Sequence, residues 1–303
     1  MKNKIIIGSR GSKLALIYAE RARSELLRNP LIESVEIKSI TTMGDTIKDV
    51  RISEHGGKGA FCKIIEKKLI NENIDIAVHA LKDMPTNETE GLLTNCFLKR
   101  NNPKEILISN GNKNIRELKT KAIVGTSSFR REFQIKNIRA DLNCKLIRGN
   151  VDTRIEKLNK NLYDAIILSY AGIQSLGLEK KISQTFSISE MIPCAGQGVI
   201  ALQCRNNDDE INELLKRVNH QSTHNSIKAE RNVLKVLEGD CETAVGAFAN
   251  IKGNKINLEV ELFSLDGKNR FYLKSSKNVY QADELGIEVG KALKKESNNS
   301  YKK

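Results

Sequence analysis

Basic and hydroxyl side chains gather at three points of the 303-residue chain, each directly after a short apolar run. The first is His79-Ala80-Leu81-Lys82-Asp83-Met84-Pro85. Ligands of α/β proteins bind beyond the carboxyl ends of strands, so Lys82 and Asp83 stand where a site would form. An aspartate ahead of a proline also serves as a plain turn former, and the spacing allows both readings. The second is the run from Val124 to Arg131. A strand that passes through Thr126, Ser127 and Ser128 into a helix exposes unpaired backbone N–H groups, which attract anions. Ser127 would equally serve as the helix N-cap. Arg130 and Arg131 in the first turn oppose the helix dipole, which calls for an anion beside them. The third runs from Leu146 to Arg154, again strand, turn (at Gly149) and helix start. Between Arg130 and Lys160 stand nine Lys or Arg and four Asp or Glu, so 9 − 4 leaves an excess of five positive charges. Arg rather than Lys holds the strand ends, as bidentate binding of planar carboxylates requires.

Other chemistries fail on spacing. Gly56-Gly57-Lys58-Gly59 lacks the Walker spacing and has no Ser or Thr after Lys58, and no G-x-G-x-x-G occurs. His220 and His224 are four apart on a predicted helix, but without the Glu of a zinc protease or a third ligand they read as a solvated face, so no metal is predicted. His79 with a cysteine would suit a thiol hydrolase, but no partner is identifiable. The six cysteines form no C-x-x-C pair and are predicted to be free thiols. The net charge of +13 suggests a polyanionic partner. Aromatics do not interleave with the basic residues, and no nucleic-acid-binding motif is recognisable. No apolar run approaches the roughly 20 residues of a membrane span. Ile5-Ile6-Ile7 is too short for a signal-peptide core, so the cytoplasm is the expected compartment.

The elements that must carry these loops alternate strand and helix, an α/β pattern. Strands are predicted at Ile5–Gly8, Val35–Thr42, Ile74–His79, Ala122–Gly125, Lys145–Arg148, Ala165–Ser169 and Val199–Cys204. Helices are predicted through Leu14–Leu26, from Ala60 to about Asn71, from Ser127, from Asp152, and from Ser222 to Leu237 with Gly239 as its stop. Met43–Gly59 is polar and Gly-rich, and reads as a long mobile loop of the kind that forms lids. Strands at Val245–Ile251, Lys255–Phe263 and Arg270–Lys274, then a helix with Ala282, Leu285, Val289 and Leu293 on one face, make a small α+β unit. The tail after Lys295 is expected to fray.

Taken together the loops resemble the ordered motifs of the hydroxymethylbilane synthase (porphobilinogen deaminase) family. The resemblance rests on Arg10-Gly11-Ser12, on Gly56 to Phe61 and on His79 to Pro85. It continues in residues 124–131 (VGTSSFRR), 146–154 (LIRGNVDTR), 163–172 (YDAIILSYAG), 193–198 (PCAGQG) and 237–246 (LEGDCETAVG). It implies an enzyme, a transferase that joins four porphobilinogen molecules head to tail and releases ammonia. Growth takes place on a dipyrromethane cofactor bonded to a cysteine, which by motif is Cys241. The catalytic aspartate maps onto Asp83, which would contact pyrrole N–H groups and stabilise a cationic intermediate. Lys82, Thr126, Ser127, Ser128, Arg130, Arg131, Arg148 and Gly149 would hold the cofactor. Arg10, Ser12, Arg148, Arg154 and Gln197 would bind substrate carboxylates, and Lys58 and Phe61 would belong to the lid loop.

The implied fold has three domains. The first two, residues 1–98 completed by 199–217 and residues 99–198, would resemble periplasmic binding proteins around a cleft. The third, 218–303, would be a small α+β domain carrying the cofactor cysteine. The small molecule porphobilinogen would be the partner, with no nucleic acid and no membrane, and the protein would be a monomer. Ala80, Asp240, Tyr18 and Ser175 depart from residues common in the family, the last two where a glutamine and, in some members, a substrate-binding arginine occur. The competing readings are a non-catalytic binder of a small polyanion, which leaves Cys241 and Asp83 without a role, and a nucleic-acid-binding protein resting on charge alone.

Overall fold

A computed structural model describes residues 2–42, 59–239 and 243–302, so all of the predicted Met43–Gly59 loop but Gly59, which opens a helix, lies outside the described residues, Lys58 included, as do Asp240 and Cys241. The chain opens with β1 (Lys4–Arg10), α1 (Lys13–Leu26), β2 (Ser34–Ile40), α2 (Gly59–Ile70), β3 (Ile76–Ala80) and β4 (Leu92–Phe97). It continues with β5 (Glu105–Ser109), β6 (Ile123–Gly125), α3 (Phe129–Ile138), β7 (Asn143–Lys145), α4 (Val151–Asn159), β8 (Ala165–Ser169), α5 (Tyr170–Ser175) and β9 (Gln184–Thr185). Then come β10 (Ile200–Arg205), α6 (Asp209–Val218), α7 (Gln221–Leu237), β11 (Val245–Lys252), β12 (Lys255–Phe263), β13 (Arg270–Asn278) and α8 (Ala282–Glu296).

The first two sheets repeat one plan. The order β2-β1-β3-β10-β4 pairs β1 parallel with β2 and β3, and sets β10 antiparallel between β3 and β4. The order β7-β6-β8-β5-β9 pairs β6 parallel with β7 and β8, and sets β5 antiparallel between β8 and β9. Because β10 completes the first sheet from late in the chain, the chain passes between the two sheets twice. The crossings touch: Gly198 has φ +80°, and a Cβ there would lie 2.7 Å from the Asn101 carbonyl oxygen. Only glycine combines that backbone conformation with that approach.

Buried strands explain why these sheets need helices on both faces. Ile5, Ile7, Ile76, Val78, Ile200 and Leu202 pack with α1 and α6, while α2 brings Ile65 and Leu69 against Ala77 and Leu92. In the second sheet α3 and α4 supply Ile135, Ile155 and Leu158 to two separate clusters. The third sheet, β11-β12-β13, is an antiparallel meander covered by α7 and α8 through Val233, Leu237, Leu285, Val289 and Leu293.

Several boundaries differ from those the sequence predicts. The strand expected at Lys145–Arg148 is Asn143–Lys145, because its parallel partner β6 has three residues and ends at Gly125. The N-cap of α3 is Ser128, whose hydroxyl accepts from Arg131 N, rather than Ser127. Helix α7 stops at Glu238, left-handed at φ 53°, not at Gly239; Lys294 and Lys302 hold the Glu238 carboxylate at 3.2 and 2.9 Å. His220 and His224 are not a solvated face: His220 caps α7, and His224 packs edge-on against Phe97 at 5.4 Å. The tail after Lys295 is docked, with Tyr301 buried and its hydroxyl donating to Leu237 O at 2.9 Å. Strands β4 and β5 and helices α5 and α6 were not among the predicted elements.

Candidate active site

The carboxyl ends of β1, β3 and β8 bring the predicted residues together. At the end of β3 the chain makes a 3₁₀ turn, Leu81–Asp83, which carries Lys82 and Asp83. Lys82 Nζ donates to Ser169 Oγ at 3.3 Å, at the end of β8, and so spans the first two sheets. Asp83 and Phe61 lie between two cavities. The smaller, about 50 Å³, is lined by Arg10, Ser12, Tyr18, Cys62 and His79 among others. The larger, about 240 Å³, is lined by Lys82, Ser127, Ser128, Arg130, Arg131 and Gln197, and also by Gly239 and Thr243. Those last two flank residues 240–242.

Arg10 leaves the end of β1 with its guanidinium 4.2 Å from the centre of the Phe61 ring. Ser12 is also the N-cap of α1, its hydroxyl accepting from Ala15 N. Thr126 is buried, and its hydroxyl accepts from Ser128 N at 3.2 Å. The anion that the Arg130–Arg131 pair requires is Glu105. Arg130 Nη2 donates to Glu105 Oε1 at 2.6 Å, while Arg131 donates through Nε at 3.1 Å and through Nη2 to Oε2 at 2.8 Å. Burial by itself would raise the Glu105 pKa, but Arg131 and Arg130 outweigh it and hold it at about 2. Two guanidiniums share one carboxylate, so the larger cavity keeps a positive wall.

Arg148 is buried with its Nε unpartnered, and burial and the charge of Arg10 lower its pKa while Asp83 opposes them. Arg154 donates to Gly149 O at 2.9 Å; burial, then Arg131 and Arg148, lower its pKa to about 10. Gly149 makes the turn between them at φ +107°, where a Cβ would meet Thr153 at 2.7 Å. Arg148, Gly149 and Arg154 are not among the residues that line these two cavities. Gln197 is fully buried, and its amide donates to Pro103 O at 2.7 Å, so it also ties the two chain crossings together.

Sequence reasoning missed Glu105, Ser169 and the floor of the smaller cavity. Glu105 carried a signal, since a lone carboxylate opens a strand whose next three residues, Ile106, Leu107 and Ile108, are apolar. The departures Tyr18, on α1, and Ser175, on α5, come close enough for Ser175 to lower the Tyr18 pKa, while the Ser175 hydroxyl donates to Ala171 O at 2.8 Å. Burial, and then Asp83, push Tyr18 up to about 12, which keeps it a proton donor at the edge of the site.

The arrangement can bind several carboxylates, and it keeps a carboxylate of its own, Asp83, on the cavity linings among the cations. Two family profiles match the chain. The one described as "Porphobilinogen deaminase, dipyromethane cofactor binding domain" covers residues 5–213, and "Porphobilinogen deaminase, C-terminal domain" covers residues 225–295. The chain is 40% identical to the porphobilinogen deaminase of Desulforamulus reducens over 97% of this chain and 95% of that one. It is 41% identical to the porphobilinogen deaminase of Bacillus cereus over 97% and 95%. Among solved structures, a probable amino-acid ABC transporter extracellular-binding protein from Bacillus subtilis aligns with 72% of this chain and 90% of that one, at TM-score 0.44 and 12% identity.

Proposed function

From the premise that the chain belongs to the porphobilinogen deaminase family, we propose that Asp83 is the catalytic carboxylate of a hydroxymethylbilane synthase whose surrounding arginines grip pyrrole acetates and propionates. The chain condenses four porphobilinogen molecules head to tail, releases ammonia, and frees the product by hydrolysis. The observation that carries the residue assignment is the position of Asp83, on the lining of both cavities, with Arg10 beside it in the smaller and Lys82 and Arg131 in the larger.

The residues present fit a dipyrromethane. The Arg148 Nε is a buried donor without a partner, and the larger cavity runs from the hydroxyls of Ser127 and Ser128 to Gly239 and Thr243. Cys241, outside the described residues, is our candidate for the covalent link. When bound, the group supplies the nucleophilic pyrrole carbon from which the product grows. Ser127, Ser128, Lys82, Arg131 and Arg148 would hold its carboxylates, with Thr126, Arg130, Gly149 and Gln197 fixing the shape of that wall. Arg10, Ser12 and Arg154 would orient incoming porphobilinogen. Asp83 would accept pyrrole N–H bonds and stabilise the positive charge that develops as the amino group leaves. It would also take the proton lost from the attacking ring carbon once the new carbon–carbon bond has formed. Phe61 and Lys58 would belong to the lid of the site.

Three domains divided as 1–98 with 199–217, 99–198 and 218–303 account for this layout. We read the protein as a cytoplasmic monomer; among the described residues no helix is long and apolar enough to cross a membrane. The intact mass of the purified protein tests the assignment. It should exceed the mass of the 33.9 kDa chain by a two-pyrrole adduct. Cys241→Ser should abolish the excess and the activity, whereas Cys204→Ser should keep both. An adduct that survives Cys241→Ser refutes the anchoring residue.

A further inference from the structure

Carboxylate binding does not explain the floor of the smaller cavity. There Cys62 and His79, both buried, begin a polar chain that runs away from the site. His79 Nε2 lies 3.2 Å from Gln203 Oε1, Gln203 Nε2 donates to Glu66 Oε1 at 3.1 Å, and Thr89 Oγ1 donates to Glu66 Oε2 at 2.9 Å. On the near side Cys62 Sγ is 3.8 Å from His79 Nδ1 and 3.8 Å from the Asp83 carbonyl oxygen. The members come from α2 (Cys62, Glu66), β3 (His79) and β10 (Gln203).

Proton accounting fixes the direction of this chain. A carboxylate only accepts, so Glu66 turns the Gln203 amide nitrogen toward itself and the amide oxygen toward His79. His79 Nε2 must then carry the proton. Burial lowers the His79 pKa to about 4, with Glu66, Gln203 and Asp83 opposing, so the ring is neutral near pH 7 and Nδ1 is bare. Burial pushes the Cys62 thiol upward, so it keeps its proton as a donor. The one S–H of Cys62 therefore faces two acceptors at 3.8 Å each, the bare ring nitrogen and the carbonyl of the residue that carries the catalytic carboxylate, so the ring decides how far the thiol turns toward that carbonyl. Leu81 and Met84 are buried on either side of the turn, which has no side-chain cap of its own.

We propose that His79, oriented by Gln203 and Glu66 and acting through Cys62, is a positioning residue that sets the rotation of the Asp83 peptide and hence the aim of its carboxylate. This rests on the assignment of Asp83 as the catalytic carboxylate. His79 exchanges no proton with substrate in this arrangement.

Two measurements on the holoenzyme test it. The chain has four histidines, so ¹⁵N ring spectra can be assigned by replacing the other three one at a time. His79 should be the neutral Nε2–H tautomer and should not titrate between about pH 5 and 8, the range of an ordinary histidine. An Nδ1–H tautomer, or a titration in that range, overturns the proposal without any change at Cys62. Kinetically, Cys62→Ala should lower kcat about fivefold at unchanged KM, the size of effect that a slightly misaimed group produces. Cys62→Ser retains a donor and should stay within about twofold of wild type. In an Asp83→Asn background, Cys62→Ala should cost nothing more, because the carboxylate it aims is gone. Wild-type kcat in Cys62→Ala, equal losses for Ala and Ser, or the same loss in both backgrounds refutes the positioning role. An active Asp83→Asn enzyme instead refutes the catalytic assignment itself.

Discussion

At the scale of single residues the site depends on one negative charge held among many positive ones. A carboxylate about 4 Å from a forming cation contributes on the order of 4 kcal/mol at an effective dielectric near 20. If that interaction is made in the transition state and not in the ground state, its loss slows turnover roughly a thousandfold. Asp83→Asn keeps the size of the side chain but neither the charge nor a transferable proton. It should therefore retain the covalent adduct while steady-state product formation falls by about that factor. Asp83→Glu keeps the charge and should lose less, limited by misplacement. An Asn variant within about tenfold of wild type would exclude Asp83 as the charge-stabilising group. Lys82 and Asp83 were legible in the sequence because strand ends are where sites form. The arginines were legible as charges but not as partners. Nothing in their spacing indicates that Arg130 and Arg131 spend their forks on Glu105 while Arg148 keeps an unpartnered donor, since those pairings join helix α3 to strand β5, 25 and 26 residues away in the chain.

At the scale of elements the second sheet depends on that same Glu105. It opens β5 and is covered by α3, and its two guanidinium partners also donate to Ile192 O and Ile167 O at 2.8 and 3.2 Å, which ties helix, strand and loop together. Removing the carboxylate leaves two buried cations uncompensated. Glu105→Leu should therefore destabilise the fold by about 3–5 kcal/mol, measured by denaturant unfolding. The pH dependence has a definite sign. The folded pKa of Glu105 is depressed from its ordinary 4.5 to about 2, so its contribution is complete above the ordinary value and is lost as pH falls between those limits. Wild type should exceed Glu105→Gln in stability by a constant margin above about pH 5, and the margin should shrink in more acidic buffer. A margin that stays constant down to about pH 3 contradicts the role given to Glu105. Elements with a strong period, such as α1, α7 and α8, were legible within a residue or two. Strand β5 was overlooked because its opening glutamate breaks the apolar run, and β4 alternates only weakly between polar and apolar residues. The boundary at Lys145 was set by the length of the neighbouring strand, which is a tertiary fact. The docked tail is another: its sequence is polar, and a single buried tyrosine, Tyr301, holds it.

At the scale of the whole molecule the three sheets meet at Glu230. This carboxylate on α7 is fully buried; it accepts from both terminal nitrogens of Arg100, from Gly196 N at 2.8 Å and from Ala249 N at 2.8 Å. Arg100 lies on the first chain crossing and Gly196 on the second, while Ala249 belongs to β11 of the third sheet. Arg100 is further held by its Nε bond to Gln197 O at 2.9 Å, and its guanidinium lies 4.9 Å from the centre of the Phe248 ring. One side chain thus pins both crossings to the third sheet, and Gly196 in turn lies against Leu81 of the turn that carries Asp83. Glu230→Leu leaves the two terminal nitrogens of Arg100 and two backbone N–H groups without their acceptor in the interior. Losing one partner of a buried ion pair costs about 3–5 kcal/mol, because the surviving charge keeps its desolvation penalty. In a chain of this length each kcal/mol moves the melting temperature by roughly 2–4 °C, so calorimetry should find the variant about 10 °C less stable. Glu230→Gln keeps the shape and one acceptor oxygen and should fall between the two. A Glu230→Leu protein that melts within about 2 °C of wild type would mean that Arg100 finds another acceptor or water, and that the three sheets are joined by apolar packing alone.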